Sequence, residues 1–273
     1  MADVKISAAT DPGSVLGTDR VPIARSGSTT AYSATINELA NFIDAGMFDT
    51  NYIDNSGFTV NQRNYTSGTA LAAAAYAHDR WKAGSGGCTY TYTATPAATQ
   101  ITITAGSLQQ VLEGVGLLTG AYTLSWTGTA QGRVGGGTYA ASPVAVSGTA
   151  GSNLTLEFNT GTLSRVKLEL GNIASAWQPR RVVQELQACQ RFYATGRFSF
   201  NGYGQASASV GGTQQWPVLM RGTPAVALVS PGYINASAGT TSNLSSVSAD
   251  FAATVTGTAA TIFSTGWTAS ADL

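Results

Sequence analysis

The sequence predicts a mainly β protein built from antiparallel sandwiches, and three observations carry that prediction. Only 10% of the 273 residues are charged, against roughly a quarter in an ordinary soluble domain. Polarity comes instead from Thr, Ser, Asn and Gln together with 32 glycines, which suits short strands joined by tight turns. Short runs of period-two alternation recur along the chain, as in Gln100-Ile101-Thr102-Ile103-Thr104, Tyr122-Thr123-Leu124-Ser125-Trp126-Thr127 and Arg165-Val166-Lys167-Leu168-Glu169-Leu170. Each is the pattern of a sheet with one buried face.

Three segments separate. Residues 1–48 contain the turn Asp11-Pro12-Gly13 and the short strand Arg20-Val21-Pro22-Ile23-Ala24-Arg25, whose proline places it at an edge. Thr30–Ala34 is its expected hairpin partner. A helix should start at Thr35, where Thr35 and Glu38 form a capping box and Ile36, Leu39, Ala40 and Ile43 share a face.

Residues 49–180 form the largest unit, a β-sandwich. Its further strands are Cys88–Thr93 after a Gly84-Ser85-Gly86-Gly87 turn, with Tyr90 and Tyr92 on one side, then Val144–Val146 and Leu154–Phe158. Tyr76–Trp81 reads as extended, and Ala70–Ala75 as a helical turn or two. Residues 181–273 open with the best helical stretch, Arg181–Tyr193, which has no Gly or Pro and a Val182, Leu186, Cys189, Tyr193 stripe. That stripe would meet copies of itself at a three-fold axis or lie against its own sandwich. Strands resume at Ala206–Val210, Gln214–Val218, Ala225–Val229, Ser246–Phe251 and Ala259–Phe263, giving a C-terminal β-domain.

The charge balance bounds the partners. Lys plus Arg and Asp plus Glu number 14 each, so no basic excess exists to neutralise nucleic-acid phosphates or an anionic bilayer. No run approaches a membrane span of about 18 apolar residues, and the start lacks the pattern of a signal peptide. Synthesis in a cytoplasm is expected. Cys88 and Cys189 have no zinc or CxxC spacing; two ordinary thiols are favoured over a disulfide, within or between chains. No metal or cofactor is expected.

Catalytic groups are scarce. His78 is the sole histidine, and neighbouring strand residues such as His78 and Asp79 point to opposite faces, which denies a base–orienter pair. Asp49 and Asp54 flank a loop, while Glu157 and Glu169 sit on separate predicted strands; surface solvation accounts for each better than a glycosidase pair does. Gly114-Val115-Gly116 and Gly135-Gly136-Gly137 read as hairpin turns, since no Lys-Ser/Thr follows to make a phosphate loop. Trp216 and Trp267 could stack on sugars, though burial in a sandwich core is the commoner fate. Tyr203 and Tyr233, set among Gly and Asn, read as loop residues and are the preferred receptor contacts, with ordinary loop packing as the alternative.

Several stretches resemble bacteriophage and prophage tail-fibre proteins. Gly17-Thr18-Asp19-Arg20-Val21-Pro22 is similar to the "GT-D/E-x-V-P" hairpin of virion-attachment segments. Phe58, Asn61-Gln62-Arg63 and Asp79-Arg80-Trp81 resemble the opening pattern of a carbohydrate-binding-module-like jelly roll in such fibres. Lys167-Leu168-Glu169-Leu170-Gly171 and Ala174-Ser175-Ala176-Trp177-Gln178-Pro179-Arg180 resemble its close. Glu185–Tyr193 resembles the following "E-L-x-x-C-Q-R-Y/F-Y" run, and Pro217-Val218-Leu219-Met220-Arg221-Gly222-Thr223-Pro224 a tip strand "P-V-x-M-R-x-x-P". The resemblance implies a homotrimeric, non-catalytic virion fibre. Residues 1–48 would attach to another virion protein, and residues 181–273 would form the tip against a host-surface glycan or envelope protein. A purely structural head, collar or baseplate decoration is the alternative, followed by a polysaccharide depolymerase.

Overall fold

The structure, a computed structural model, describes residues 51–95 and 97–273 and the backbone of residues 20–23 and 32–35. The chain divides into two compact units, residues 1–50 and 51–273. In the first, β1 (Arg20–Ile23) pairs antiparallel with β2 (Tyr32–Thr35), Val21 opposite Ala34. The helix expected from Thr35 to Ile43, and Asp49, lie outside the described residues.

The second unit holds two hydrophobic cores. The first belongs to a sandwich of β3 (Ala70–Leu71), β4 (Lys82–Thr95), β5 (Ala98–Leu112), β6 (Gly120–Thr127), β7 (Gly132–Val134), β8 (Val144–Gly148), β9 (Leu154–Phe158) and β10 (Gly161–Leu170). β10 serves both sheets. Its start pairs with β5, Leu163 opposite Ile101, and the rest pairs with β6, Leu168 opposite Leu124. The partner changes between Leu163 and Ser164, and a bulge follows at once between Ser164 and Lys167, the device by which a strand turns from one sheet into the next. Trp81, Tyr90, Ile101, Ile103, Leu108 and Phe158 then meet Tyr122, Leu124, Trp126, Val166 and Leu168 in one buried cluster. The alternation read from the sequence is the alternation observed: Ile101 and Ile103 face in, while Gln100, Thr102 and Thr104 stay at least partly exposed.

Four local expectations are corrected. Gly84–Gly87 is no turn between strands; it bulges within β4, whose pairing resumes at Cys88 opposite Gly106. Gly106 has φ +70°, and a Cβ there would lie 2.0 Å from the Gly87 carbonyl oxygen, so only glycine fits the approach. Ala70–Ala75 gives the two-residue β3 and then turns, with Ala74 at φ +61°; six small residues bury too little surface to hold a helix. His78–Trp81 is a tight turn, not a strand, closed by the Trp81 N–H donating to the His78 carbonyl at 2.9 Å. Gly114–Gly116 is a 3-10 turn.

The second core belongs to two three-stranded sheets. One is β11 (Tyr193–Gly204), β16 (Ala259–Ser270) and β13 (Ala225–Ile234); the other is β12 (Ser209–Gln215), β15 (Ser248–Val255) and β14 (Ala236–Ser242). Phe198, Trp216, Met220, Phe251, Phe263 and Trp267 fill the space between them. The two runs Ala206–Val210 and Gln214–Val218 thus contribute one strand, β12, which crosses Gly211-Gly212; β11 and β14 were not legible as strands.

Helix α1 (Val182–Gln190) leads from one core to the other. It buries Glu185 and Cys189, while Val182 and Val183 are exposed. The expected apolar stripe is corrected in its members, since Cys189 is buried, Val182 is exposed and Tyr193 already belongs to β11; the helix lies against its own sandwich, one of the two placements expected. Glu185 faces inward because the Asn55 N–H donates to its Oε1 and Arg180 stands 3.6 Å away. Burial, only partly opposed by those donors, pushes its carboxyl above the usual range.

The cores are joined by a seam of arginines. The Arg80 guanidinium lies 3.4 Å from the centre of the Phe192 ring, and its Nε and Nη2 donate to Asp54 and the Val111 carbonyl at 3.1 and 2.7 Å. The Arg63 guanidinium lies 3.6 Å from the Tyr193 ring centre and pairs with Asp272. Gln62 donates from Nε2 to the Tyr193 carbonyl and to Asp79. Glu113 accepts from Arg191 and, at 2.8 Å, from Arg221 Nε. Replacing Phe192 by Ala removes the ring and uncovers Arg80, and should lower stability by about 3–4 kcal/mol in chemical denaturation.

His78 is buried and shares a 2.7 Å hydrogen bond with the Tyr90 hydroxyl. Burial holds its pKa down at about 4, below the roughly 6.5 of an unfolded chain. The unfolded state therefore binds the extra proton between these values, and stability is lost as pH falls from about 6.5 through about 4. The expected loss is roughly 3 kcal/mol, and unfolding of the His78→Gln variant across that window should lack it.

Candidate functional site

The outer surface of the first sandwich is a ladder of hydroxyl and amide side chains. Because Tyr90, Ile101, Ile103 and Leu163 point into the core, their neighbours point out. Thr91 stands opposite Thr102, and Thr102 in turn opposite Thr162. The Thr162 hydroxyl lies 3.2 Å from that of Thr129. Thr93 stands opposite Gln100, and Ser164 opposite Thr127. No carboxylate stands among these residues.

At one end of this surface lies a depression of about 270 Å³ lined by Thr95, Gln100, Thr127, Gly128, Ser164 and Arg165. The β4–β5 hairpin tip supplies Thr95, the start of β5 supplies Gln100, and the end of β6 supplies Thr127. Gly128 has φ +139°, and a Cβ there would sit 2.0 Å from the Thr162 carbonyl oxygen; glycine is what lets the chain pass this close to β10. Arg165 sits on the β10 bulge with φ +53°, a left-handed conformation costing an L side chain about 1–2 kcal/mol. The bulge is fixed by the next residue, whose N–H donates to the Ser56 carbonyl at 3.1 Å.

Arg165 differs electrostatically from most of its kind. Of the described arginines only Arg165, Arg181 and Arg197 have no side-chain hydrogen-bond, ion-pair or ring partner, and of these Arg165 lines the depression. The assembly offers hydroxyl donors and acceptors, one amide and one unopposed guanidinium. It can bind a hydroxyl-rich ligand and carries no acid or base.

The carboxylates are engaged elsewhere, which corrects the expectation of surface solvation. Asp54 accepts from Arg80 and stands 3.5 Å from Arg180. Glu157 accepts from Ser107 at 2.5 Å and Arg133 at 2.8 Å. Although partial burial pushes its carboxyl up, those hydrogen bonds outweigh it and hold the group below its usual range. Glu169 lies 3.2 Å from the fully buried Lys167 and accepts from Ser175. Asp79 accepts from Gln62, and Asp250 from Thr213 and Asn243. Among the described residues no three His, Cys, Asp or Glu side chains gather as a metal site. Cys88 and Cys189 are free and buried; burial pushes the Cys88 thiol up to about 12 and Cys189 well above its ordinary value, which leaves both unreactive.

Tyr203 and Tyr233 are strand residues, not loop residues, because β11 and β13 extend further than their alternation shows. Tyr203 is 71% exposed on β11. Tyr233 stacks on Phe263 with ring centres 5.5 Å apart, and its hydroxyl accepts from the Gly239 N–H. The two stand on different edges of one sheet, each paired to β16. Trp216 and Trp267 are buried against each other, 5.2 Å between ring centres. Arg165 was missed as a site residue, since its type says nothing of a left-handed backbone. The outward threonines at alternate positions of β4 and β5 were the available signal.

No protein-family model matches the chain, and no curated protein matches its sequence. Among solved structures it is similar to native recombinant discoidin II of Dictyostelium discoideum, at 11% identity and a TM-score of 0.23 over 81% of this chain and 92% of that one. Wild-type discoidin II from the same organism gives 12%, 0.23, 81% and 91%. At these scores the fold rests on the strand register and cores themselves.

Glycine meets the backbone requirement at position 165 without strain. Arg165→Gly should therefore raise unfolding stability by about 0.5–1 kcal/mol, measured by urea denaturation; a loss of stability would mean that the guanidinium supports the fold.

Proposed function

We propose that the chain is a non-catalytic, glycan-binding subunit of a bacteriophage fibre, with the depression at the β10 bulge as its sugar site. The observation that carries the reading is a ligand-sized hollow of hydroxyls, an amide and one unopposed guanidinium on a sheet face free of carboxylates. Sugars are recognised by such arrays of polar groups, and a hydrolase would instead need a pair of available carboxylates. The virion location and the homotrimer rest on the resemblance carried by Lys167–Tyr193. In this reading residues 1–48 attach to another particle protein and Tyr203 and Tyr233 form a second, distal contact surface.

Glycan-array binding tests the reading. Saturable binding to a defined set of oligosaccharides is expected, weakened about tenfold by Gln100→Ala through loss of the amide contacts. Weakening by Tyr203→Ala alone would move the site to the C-terminal sandwich, and release of shortened saccharide would replace binding by catalysis.

A further inference from the structure

We propose that Arg165 reads a carboxylate, so that the ligand of this face is an acidic, uronate-type saccharide; the inference rests on the glycan reading above and names its ligand class.

Three features of the depression lead there. The fold does not account for the side chain: a glycine would satisfy the left-handed backbone at φ +53°, whereas a large side chain is strained there. Such outliers cluster at ligand contacts. The guanidinium also has no internal partner among the described residues, while Arg63, Arg80, Arg133, Arg180, Arg191 and Arg221 all pair with acids. Its donors are thus free for a ligand.

The third feature is the lining itself. Neutral sugars present hydroxyls that donate as well as accept, and proteins commonly meet them with carboxylates or amides. Here no carboxylate lines the hollow, one amide does, and Thr95, Thr127 and Ser164 supply hydroxyls. The Thr95 and Ser164 hydroxyls already donate to the Ala98 and Thr127 carbonyls, so what the hollow leaves unanswered is the guanidinium, which has five donors and no acceptor. A ligand group that only accepts answers it, and the planar fork of one guanidinium matches the two oxygens and single charge of a carboxylate. Sulfate or phosphate esters carry more oxygens and are ordinarily met by several cations; no second cation lines this hollow.

The test compares an oligogalacturonate with the neutral galactose oligomer of the same linkage, anomeric configuration and length, so that the two differ only in having a carboxylate or a hydroxymethyl group, by calorimetric titration of the full chain. Binding of the uronate should be at least about tenfold tighter and should weaken with added salt. Arg165→Gln should abolish the difference, and Arg165→Lys, which keeps the charge but loses the fork, should retain part of it. Unchanged strand circular dichroism in both variants shows that they fold. Equal affinity for the two sugars, or a preference unaffected by Arg165→Gln, would overturn the inference and leave the glycan reading standing. Tighter binding of a sulfated galactan than of the uronate would assign the site to sulfate and also overturn it. Binding to no oligosaccharide of any kind would overturn both.

Discussion

The second unit depends on two arginines laid against aromatic rings. Arg80 lies on the face of Phe192 and Arg63 on that of Tyr193, so consecutive residues at the junction between α1 and β11 receive two cations from the first sandwich. A buried guanidinium is costly unless its donors and charge are answered. Here Asp54, the Val111 carbonyl and Asp272 supply much of the answer. The seam therefore ties residues from the start, middle and end of the unit, and joins two separate cores into one body. Glu113, engaged by both Arg191 and Arg221, extends it along one side.

Several of the sequence motifs gather at this seam. Gln62-Arg63, Asp79-Arg80 and Glu185–Tyr193 are the residues through which the resemblance was read, and in the fold they meet. The closing pattern acts in the same way: Lys167 is buried against Glu169 and Ser175, and Trp177 donates to Ser56 at 3.1 Å. These residues fasten the sandwich shut, a structural role. The surface proposed to bind sugar lies apart from them in character, being uncharged save for Arg165. Its position follows from the sheet switch of β10, since the bulge that redirects the strand also lifts Arg165 to the surface.

Legibility in the sequence followed the range of the interactions. Gln100–Thr104 was visible because burial on one face imposes period two; Leu154–Phe158 and Arg165–Leu170 alternate as well, although Glu157, Lys167 and Glu169 on their other face are also buried. The β1–β2 pairing was visible from two short extended runs flanking Ser26-Gly27-Ser28 in the sequence. The helix at residues 181–193 was visible as a helix, but its buried face was not. That face is set by Asn55 and Arg180 holding Glu185 inward, and no periodicity reports a buried carboxylate. The runs Tyr76–Trp81 and Gly84–Gly87 failed for a related reason, because their conformation answers to Tyr90 and Gly106 across the sheet. β12 and β14 were obscured by glycine and serine, which pack little. The site was half legible: outward threonines follow from alternation, whereas a left-handed arginine at a sheet switch does not.

The account centres on where a sugar sits, and the structure of the protein crystallised with a bound oligosaccharide tests that directly. The account predicts saccharide density over the β10 bulge, within hydrogen-bonding distance of Gln100, Ser164 and Arg165. Density beside Tyr203 on the C-terminal sandwich, with the bulge surface empty, would contradict it.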